Sequence, residues 1–389
     1  MKLKAPSKQV AAVQAAPVLD PSQRAVLAAV LGPDAAPTTL VLGAPGTGKT
    51  TVAIELVSAA VDQGMDPAKI LVLSATRRSA GQLRDTVAAR IEGPVRGAIV
   101  RTAPAAAFGI LTAAATAAGE PPPRLITGPE QDHLLAQVLA GHLEGLVPAI
   151  NWPVSIPEDA LGLRGFRAEL RDLLMRAAEN GLGPQQLAAL GLRHDRPDWV
   201  AAAQLLREYD AITTLAAVTP DAGHRYDPAQ IVDEATYTLA QWQGPDRPGW
   251  DLVVVDDYQE VTAAVARFLG LLRRDGARLV LLADPDIAVQ GFRGGQPTLV
   301  GRAGAGSADR IHLDAERLGE FGAGRLVLET VWRSGANLRA VTTAVTQTVA
   351  TVGETRHRRA VSHPREVTGT VEAVVTATEA QNDTAVANI

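Results

Sequence analysis

Two stretches of this 389-residue sequence carry side chains whose types and spacing can do chemistry. Gly43-Ala44-Pro45-Gly46-Thr47-Gly48-Lys49-Thr50 fits the pattern G-x-x-x-x-G-K-S/T at every fixed position. Its glycines let backbone N–H groups turn inward around a phosphate chain, and a helix starting there aims its positive end at the same anion. Lys49 is placed to reach the β/γ-phosphates and the Thr50 hydroxyl to hold Mg²⁺. The bland reading is a glycine-rich turn that happens to match. The second stretch, Asp251–Asp257, is an apolar run ending in the paired carboxylates Asp256 and Asp257. A Mg²⁺–phosphate site needs one acid for the metal's water shell and another to orient the attacking water. Two aspartates after a strand serve equally well as a helix N-cap, and it is the phosphate loop elsewhere in the chain that favours catalysis.

Both stretches need a scaffold, and the sequence supplies one. Thr38–Leu42 is a short apolar strand ahead of the loop, and Val52, Ile54, Leu56 and Val57 continue it as a helix. Ile70–Ser74 repeats the order strand, polar turn, helix through Leu83 and Val87, which implies a parallel α/β sheet, and Ile99–Thr102, Arg278–Asp284 and Arg325–Glu329 are further strands. Open sheets of this kind bind ligands at the carboxyl ends of their strands. Leu19–Arg24 starts a helix with Asp20 as N-cap and Pro21 in the first turn. Alone, Gln23 reads as a solvated helix residue; ahead of a phosphate loop, it can read an adenine edge. From Gly128 to about Leu239 the apolar spacing is helical, so an all-helical insertion is expected between two strands. Its Arg164, Arg167, Arg171 and Arg176 form a solvated face or a nucleic-acid contact. Gly294–Gly324 reads as loop, Arg356–Arg359 as a solvated basic connector or a phosphate contact, and Gly369–Val375 as a strand.

Composition narrows the classes. The sequence is 47% apolar and 20% charged, as in ordinary globular proteins. It has no cysteine, which excludes disulfides, zinc ribbons and iron–sulfur clusters within this sequence and suits a reducing, cytoplasmic setting. The net charge of −5 argues against a wholly basic nucleic-acid coat but leaves room for a local cationic groove. The basic start, Met1–Lys4, runs into Ser7, Lys8 and Gln9 where a signal peptide needs an apolar core, and no apolar run is long enough to span a bilayer.

Taken together, the stretches resemble the motif series of superfamily 1 DNA helicases of the UvrD/PcrA/RecB type. Gln23 corresponds to the adenine-reading glutamine, and Gly43–Thr50 to motif I. Ser74–Leu83 matches motif Ia, Arg101–Leu111 motif Ib, and Val253–Glu260 (VVVDDYQE) motif II. Ala283–Gly295 (ADPDIAVQGFRGG) matches motif III and Leu328–Leu338 (LETVWRSGANL) motif IV. Within that group the nearest likeness is to the motor of the A subunit in actinobacterial AdnAB-type helicase–nucleases. The resemblance implies an α/β P-loop NTPase fold, with a RecA-like first domain over 1–123 and 246–350. A helical insertion would occupy 124–245, and 351–389 would be a linker and the start of a second RecA-like domain. ATP would lie against residues 43–50 with Thr51, Gln23, Trp332 and Arg333. Thr50 and Asp256 would hold Mg²⁺, and Asp257 would stand where the family has a glutamate. Trp332 would stack on the base and Arg333 would reach the γ-phosphate. Thr76, Arg77, Thr102, Phe292 and Arg293 would touch DNA. Single- and double-stranded DNA and a second helicase–nuclease subunit are the implied partners.

The departures carry their own expectation. Asp257 is one methylene shorter than the family's glutamate, a displacement of about an ångström that can cost on the order of a hundredfold in rate. Motif III has Ile287 where the family has a glutamine and Gln290 where it has a tyrosine. Ala75 and Pro104 replace residues that often stack on or contact bases. A weakened motor, or a nucleotide-binding scaffold that hydrolyses little, is therefore expected. Motifs V and VI would lie beyond residue 389.

Overall fold

The computed structural model describes residues 17–91, 97–216, 223–291, 294–307, 310–311, 317–351 and 354–364, with 371 and 378. Helix α1 (Pro21–Leu31) begins with a capping box. The Asp20 carboxylate accepts from the Gln23 amide N–H, and the Gln23 side chain accepts in return from the Asp20 N–H. Strand β1 (Thr38–Leu42), fully buried, runs through the glycine loop into α2 (Lys49–Asp62). After β2 (Ile70–Leu73), α3 (Arg77–Arg90) is capped by Thr76; after β3 (Val100–Arg101), α4 (Ala103–Ala118) is capped by Thr102.

Then the chain leaves the sheet. The short β4 (Arg124–Leu125) leads into α5 (Gly128–Leu143), α6 (Glu158–Leu161), α7 (Arg164–Glu179), α8 (Pro184–Arg193) and α9 (Pro197–Ala216). β5 (Arg225–Tyr226) returns and pairs in parallel with β4. The helices between them bury a core of their own, built on Leu135, Leu139, Leu170, Leu174, Leu205 and Leu206. Two features differ from the sequence expectation. The insertion is not all helical, because β4 and β5 close its neck. Furthermore, α10 (Ile231–Gln241) belongs to the sheet and not to the insertion. Its apolar face, Ile231, Val232, Ala235 and Leu239, packs in the same core as α4 and α11 (Ala263–Arg274). Periodicity shows that a face is apolar and is silent about which layer will cover it.

Strands β6 (Leu252–Val255), β7 (Arg278–Ala283) and β8 (Gly324–Val327) complete a six-stranded sheet in the order β3-β2-β6-β7-β1-β8, every described pairing parallel. Helices cover both faces, which is why β2 and β6 are apolar at every position. Val26, Val52, Leu56 and Val57 pack on one face; Leu269, Leu271 and Phe268 pack on the other. The segment 294–324, expected as loop, includes the short helix α12 (Thr298–Arg302) and buries Leu299, Val300 and Phe321. Past β8, β9 (Thr330–Val331) pairs in parallel with β10 (Val361–Ser362), and α13 (Ala336–Thr348) lies between them in sequence. The strand expected over 369–375 lies outside the described residues apart from Val371. No described helix is long and apolar enough to cross a membrane.

Register does the positioning. Leu42 pairs with Ala283, Leu281 with Val255, and Val255 with Leu73. The turns that follow β1, β7, β6 and β2 therefore open on one edge of the sheet.

Candidate nucleotide and metal site

The loop after β1 holds its shape with its own backbone. Gly46 and Gly48 have φ of 83° and 85°, the left-handed region that glycine enters without steric cost. A Cβ on Gly48 would stand 2.5 Å from Gln23 Nε2, and one on Gly46 would stand 2.9 Å from Arg333 Cβ. Thr47 Oγ1 donates to the Ala44 carbonyl at 2.8 Å. Lys49, nearly buried, donates from Nζ to the Gly43 carbonyl at 2.6 Å and lies 3.6 Å from Asp284 Oδ2. Ala44 is buried against Val331 and Ala360, whereas Pro45 is exposed and Thr51 half-buried.

Thr50 and Asp256, 206 residues apart in sequence, meet here. Thr50 Oγ1 donates to Asp256 Oδ2 at 3.1 Å. Asp256 Oδ1 is buried with no hydrogen-bond partner. Burial, and then the charge of Asp257, push the Asp256 carboxyl up to about 6, against the pull of Thr50 and Lys49. A buried carboxylate with an unsatisfied oxygen, beside a hydroxyl and a glycine loop whose lysine is held on loop carbonyls, fits a Mg²⁺–triphosphate. The cation would relieve the desolvated charge, and the phosphates would take over Lys49.

Several of the other expected residues fall around this centre. Asp257 adopts φ 60° and ψ 51°, a left-handed conformation that aspartate tolerates better than most residues, and Gln259 Nε2 donates to its Oδ1 at 3.1 Å. Gln23 does not present a free amide for adenine. Its Nε2 donates to the Thr47 carbonyl at 3.0 Å and its Oε1 accepts from the Asp20 N–H at 3.1 Å, so here it braces the loop. Trp332 is likewise occupied: its N–H donates to Gly46 O at 2.8 Å, its Nε1 to Asp20 at 3.1 Å, and its ring stacks on His363 at 4.3 Å. Arg333 is exposed with its stem over Gly46.

Thr76 and Thr102 spend their hydroxyls as N-caps of α3 and α4, and Arg77 is exposed beside the first of them. Because β2 and β3 are parallel neighbours, both helices start at the same edge of the sheet, although they cover opposite faces, and each N-terminus can seat a backbone phosphate. Phe292 and Arg293 lie outside the described residues. Of the insertion arginines, Arg167 makes a two-point ion pair with Asp132 and Arg176 pairs with Glu179.

Sequence reasoning missed a ring of support. Gln259 Oε1 accepts from the Asp284 N–H at 3.0 Å, and the Glu260 carboxylate accepts from the N–H groups of Val289 and Gln290 at 2.8 and 2.7 Å. The run Arg356–Arg359 is not a solvated connector throughout. His357 is fully buried, with Nε2 2.9 Å from Asp286 Oδ2, and Arg358 grips the same carboxylate through two nitrogens. A histidine inside a basic run gives no periodic signal of burial. The alternation Asp284-Pro285-Asp286 was the one available hint of a waiting counter-charge.

A phosphate loop, a strand-end aspartate on the loop's threonine and a six-stranded parallel sheet define the RecA-like class of P-loop fold. Residues 19–304 match the UvrD/REP helicase N-terminal domain, and the chain belongs to that family. A search of curated proteins finds no match to it. Membership makes ATP and DNA the ligands of the class, and an ATP-dependent DNA helicase motor its function.

Proposed function

We propose that this chain is an ATP-hydrolysing motor that moves along single-stranded DNA and so unwinds duplex, serving double-strand-break repair and recombination within a helicase–nuclease of the AdnAB type. The observation that carries the nucleotide half is the Thr50–Asp256 hydrogen bond beside the glycine loop. The N-termini of α3 and α4, both at the sheet edge where the strand-end turns open, support the DNA half. Residues 1–123 and 246–350, joined by α10, form the motor domain in this reading, the rest of 124–245 its insertion, and 351–389 the approach to a second domain in a soluble, cytoplasmic protein.

Lys49 leaves the Gly43 carbonyl to neutralise the β/γ-phosphates, and the amides of Gly46–Thr50 hold the chain's oxygens in place. Thr50 and Asp256 would hold Mg²⁺, which would supply positive charge against the phosphates during transfer. Asp257 orients the attacking water, and Arg333 swings from its exposed position onto the γ-phosphate.

One group of observations favours a second reading, a nucleotide-binding scaffold with little turnover. Gln23 and Trp332 are engaged within the protein, Asp257 is held by Gln259, and Ile287 is 37% exposed with no side-chain donor to offer. Steady-state ATP turnover with and without single-stranded DNA separates the two. The motor reading expects stimulation of tenfold or more, roughly the factor that 1.4 kcal/mol of coupling supplies. Firm binding of a non-hydrolysable ATP analogue, with turnover indifferent to DNA, would establish the scaffold instead.

A further inference from the structure

Asp284, at the end of β7, is wholly buried and shared between two partners from distant parts of the chain. Lys49 Nζ stands 3.6 Å from its Oδ2, and His357 Nε2 stands 3.7 Å from its Oδ1. No hydrogen-bond donor reaches Oδ2. Burial pushes the Asp284 carboxyl up, and the charges of Lys49 and His357 pull it back. His357 is anchored meanwhile on Asp286 at 2.9 Å, and Arg358 holds Asp286 at 2.6 and 2.9 Å. Arg339 of α13 completes the group, donating to the carbonyls of Ala360 and Arg358 and facing both aspartates. Asp284, Asp286 and His357 could in geometry hold a metal, their ligand atoms lying within 4.8 Å of one another. However, Lys49, Arg339 and Arg358 already supply positive charge to two carboxylates. A divalent ion there would add repulsion, not relief.

Lys49 cannot serve Asp284 and a phosphate at once. Once the lysine turns to a triphosphate, a fully buried carboxylate loses the ammonium 3.6 Å away, which is costly unless another group closes in. His357 is already beside it, on the segment that carries β10 and that Arg339 binds to α13. We propose that His357 is a positioning residue that takes over Asp284 when Lys49 engages a triphosphate, and so passes the state of the phosphate loop to β10 and α13. This rests on the nucleotide-site reading above.

Amide hydrogen exchange on the full chain, with and without Mg²⁺ and a non-hydrolysable ATP analogue, tests it, with analogue binding measured in parallel by calorimetry. In the wild type, peptides covering 336–348 and 355–363 should exchange several-fold more slowly once the analogue is bound. His357→Gln should bind the analogue within a few-fold of wild type and lose that slowing. Asp284→Asn, which keeps the packing and removes the charge to be handed over, should lose it as well. A histidine with a merely structural part would change exchange equally in both states, leaving the analogue-induced difference intact; that result overturns the proposal. Wild-type protein that binds the analogue without any slowing overturns it too, while leaving the nucleotide site standing. No binding at all removes the nucleotide site and this coupling together.

Discussion

Lys49→Ala should lower ATP turnover by about 10²–10³-fold, the range seen when one preorganised charge-stabilising donor is removed from a reacting centre. The loss should fall on kcat as well as on nucleotide affinity, because the ammonium meets charge that grows along the reaction. A second consequence follows from the geometry. Lys49 is the cation 3.6 Å from buried Asp284, so its removal also leaves that carboxylate less compensated. The nucleotide-free variant should be less stable than wild type by about 1–3 kcal/mol. Steady-state kinetics and denaturant melts of the same preparation measure both. A variant with lost turnover and unchanged stability would place Lys49 away from Asp284.

Asp256→Asn should act in the opposite direction on stability while abolishing function. The carboxyl is pushed up to about 6 in the folded protein from an ordinary 3.8. Between those two pH values the folded state holds a proton that the unfolded state releases, so stability falls as pH rises through that window. Above about pH 6 the buried charge costs the nucleotide-free protein about 3 kcal/mol, at 1.36 kcal/mol per pH unit. Asparagine removes the charge and keeps an acceptor for Thr50. The metal-free variant should therefore melt a few degrees above wild type at pH 8 and match it near pH 4. Turnover should drop by about 10²-fold or more, since the group that holds the metal's shell is gone. Thermal melts across pH, set beside turnover at pH 8, check both signs. A variant that melts lower than wild type at pH 8 would show that Asp256 is not a strained, unsatisfied charge.

What the sequence disclosed and what it withheld divide along a physical line. Gly43–Thr50 and the Asp256 strand end were legible because each is contiguous: the loop's chemistry is written in eight successive residues, and an apolar run announces the strand before the acid. The parallel sheet followed from the repeated order of strand, turn and helix. By contrast, His357 and Asp286 are 71 residues apart and meet only through tertiary packing, so nothing local marks the histidine as buried. Gln23, expected to read an adenine edge, has its amide committed to Asp20 and Thr47, a choice made by partners that periodicity does not see. The same holds for α10, whose apolar face could have packed in either core.

The account stands on one proposition, that a triphosphate and its magnesium are held between residues 43–50 and Asp256. A crystal structure of the chain with Mg²⁺ and a non-hydrolysable ATP analogue tests it directly. The expected density places the phosphates against the amides of Gly46–Thr50, with Lys49 Nζ moved from the Gly43 carbonyl onto them. The ion should lie on Thr50 Oγ1, with Asp256 at its water shell. A triphosphate bound away from this loop, or an ion seated among Asp284, Asp286 and His357 with Lys49 still on Gly43, would contradict it.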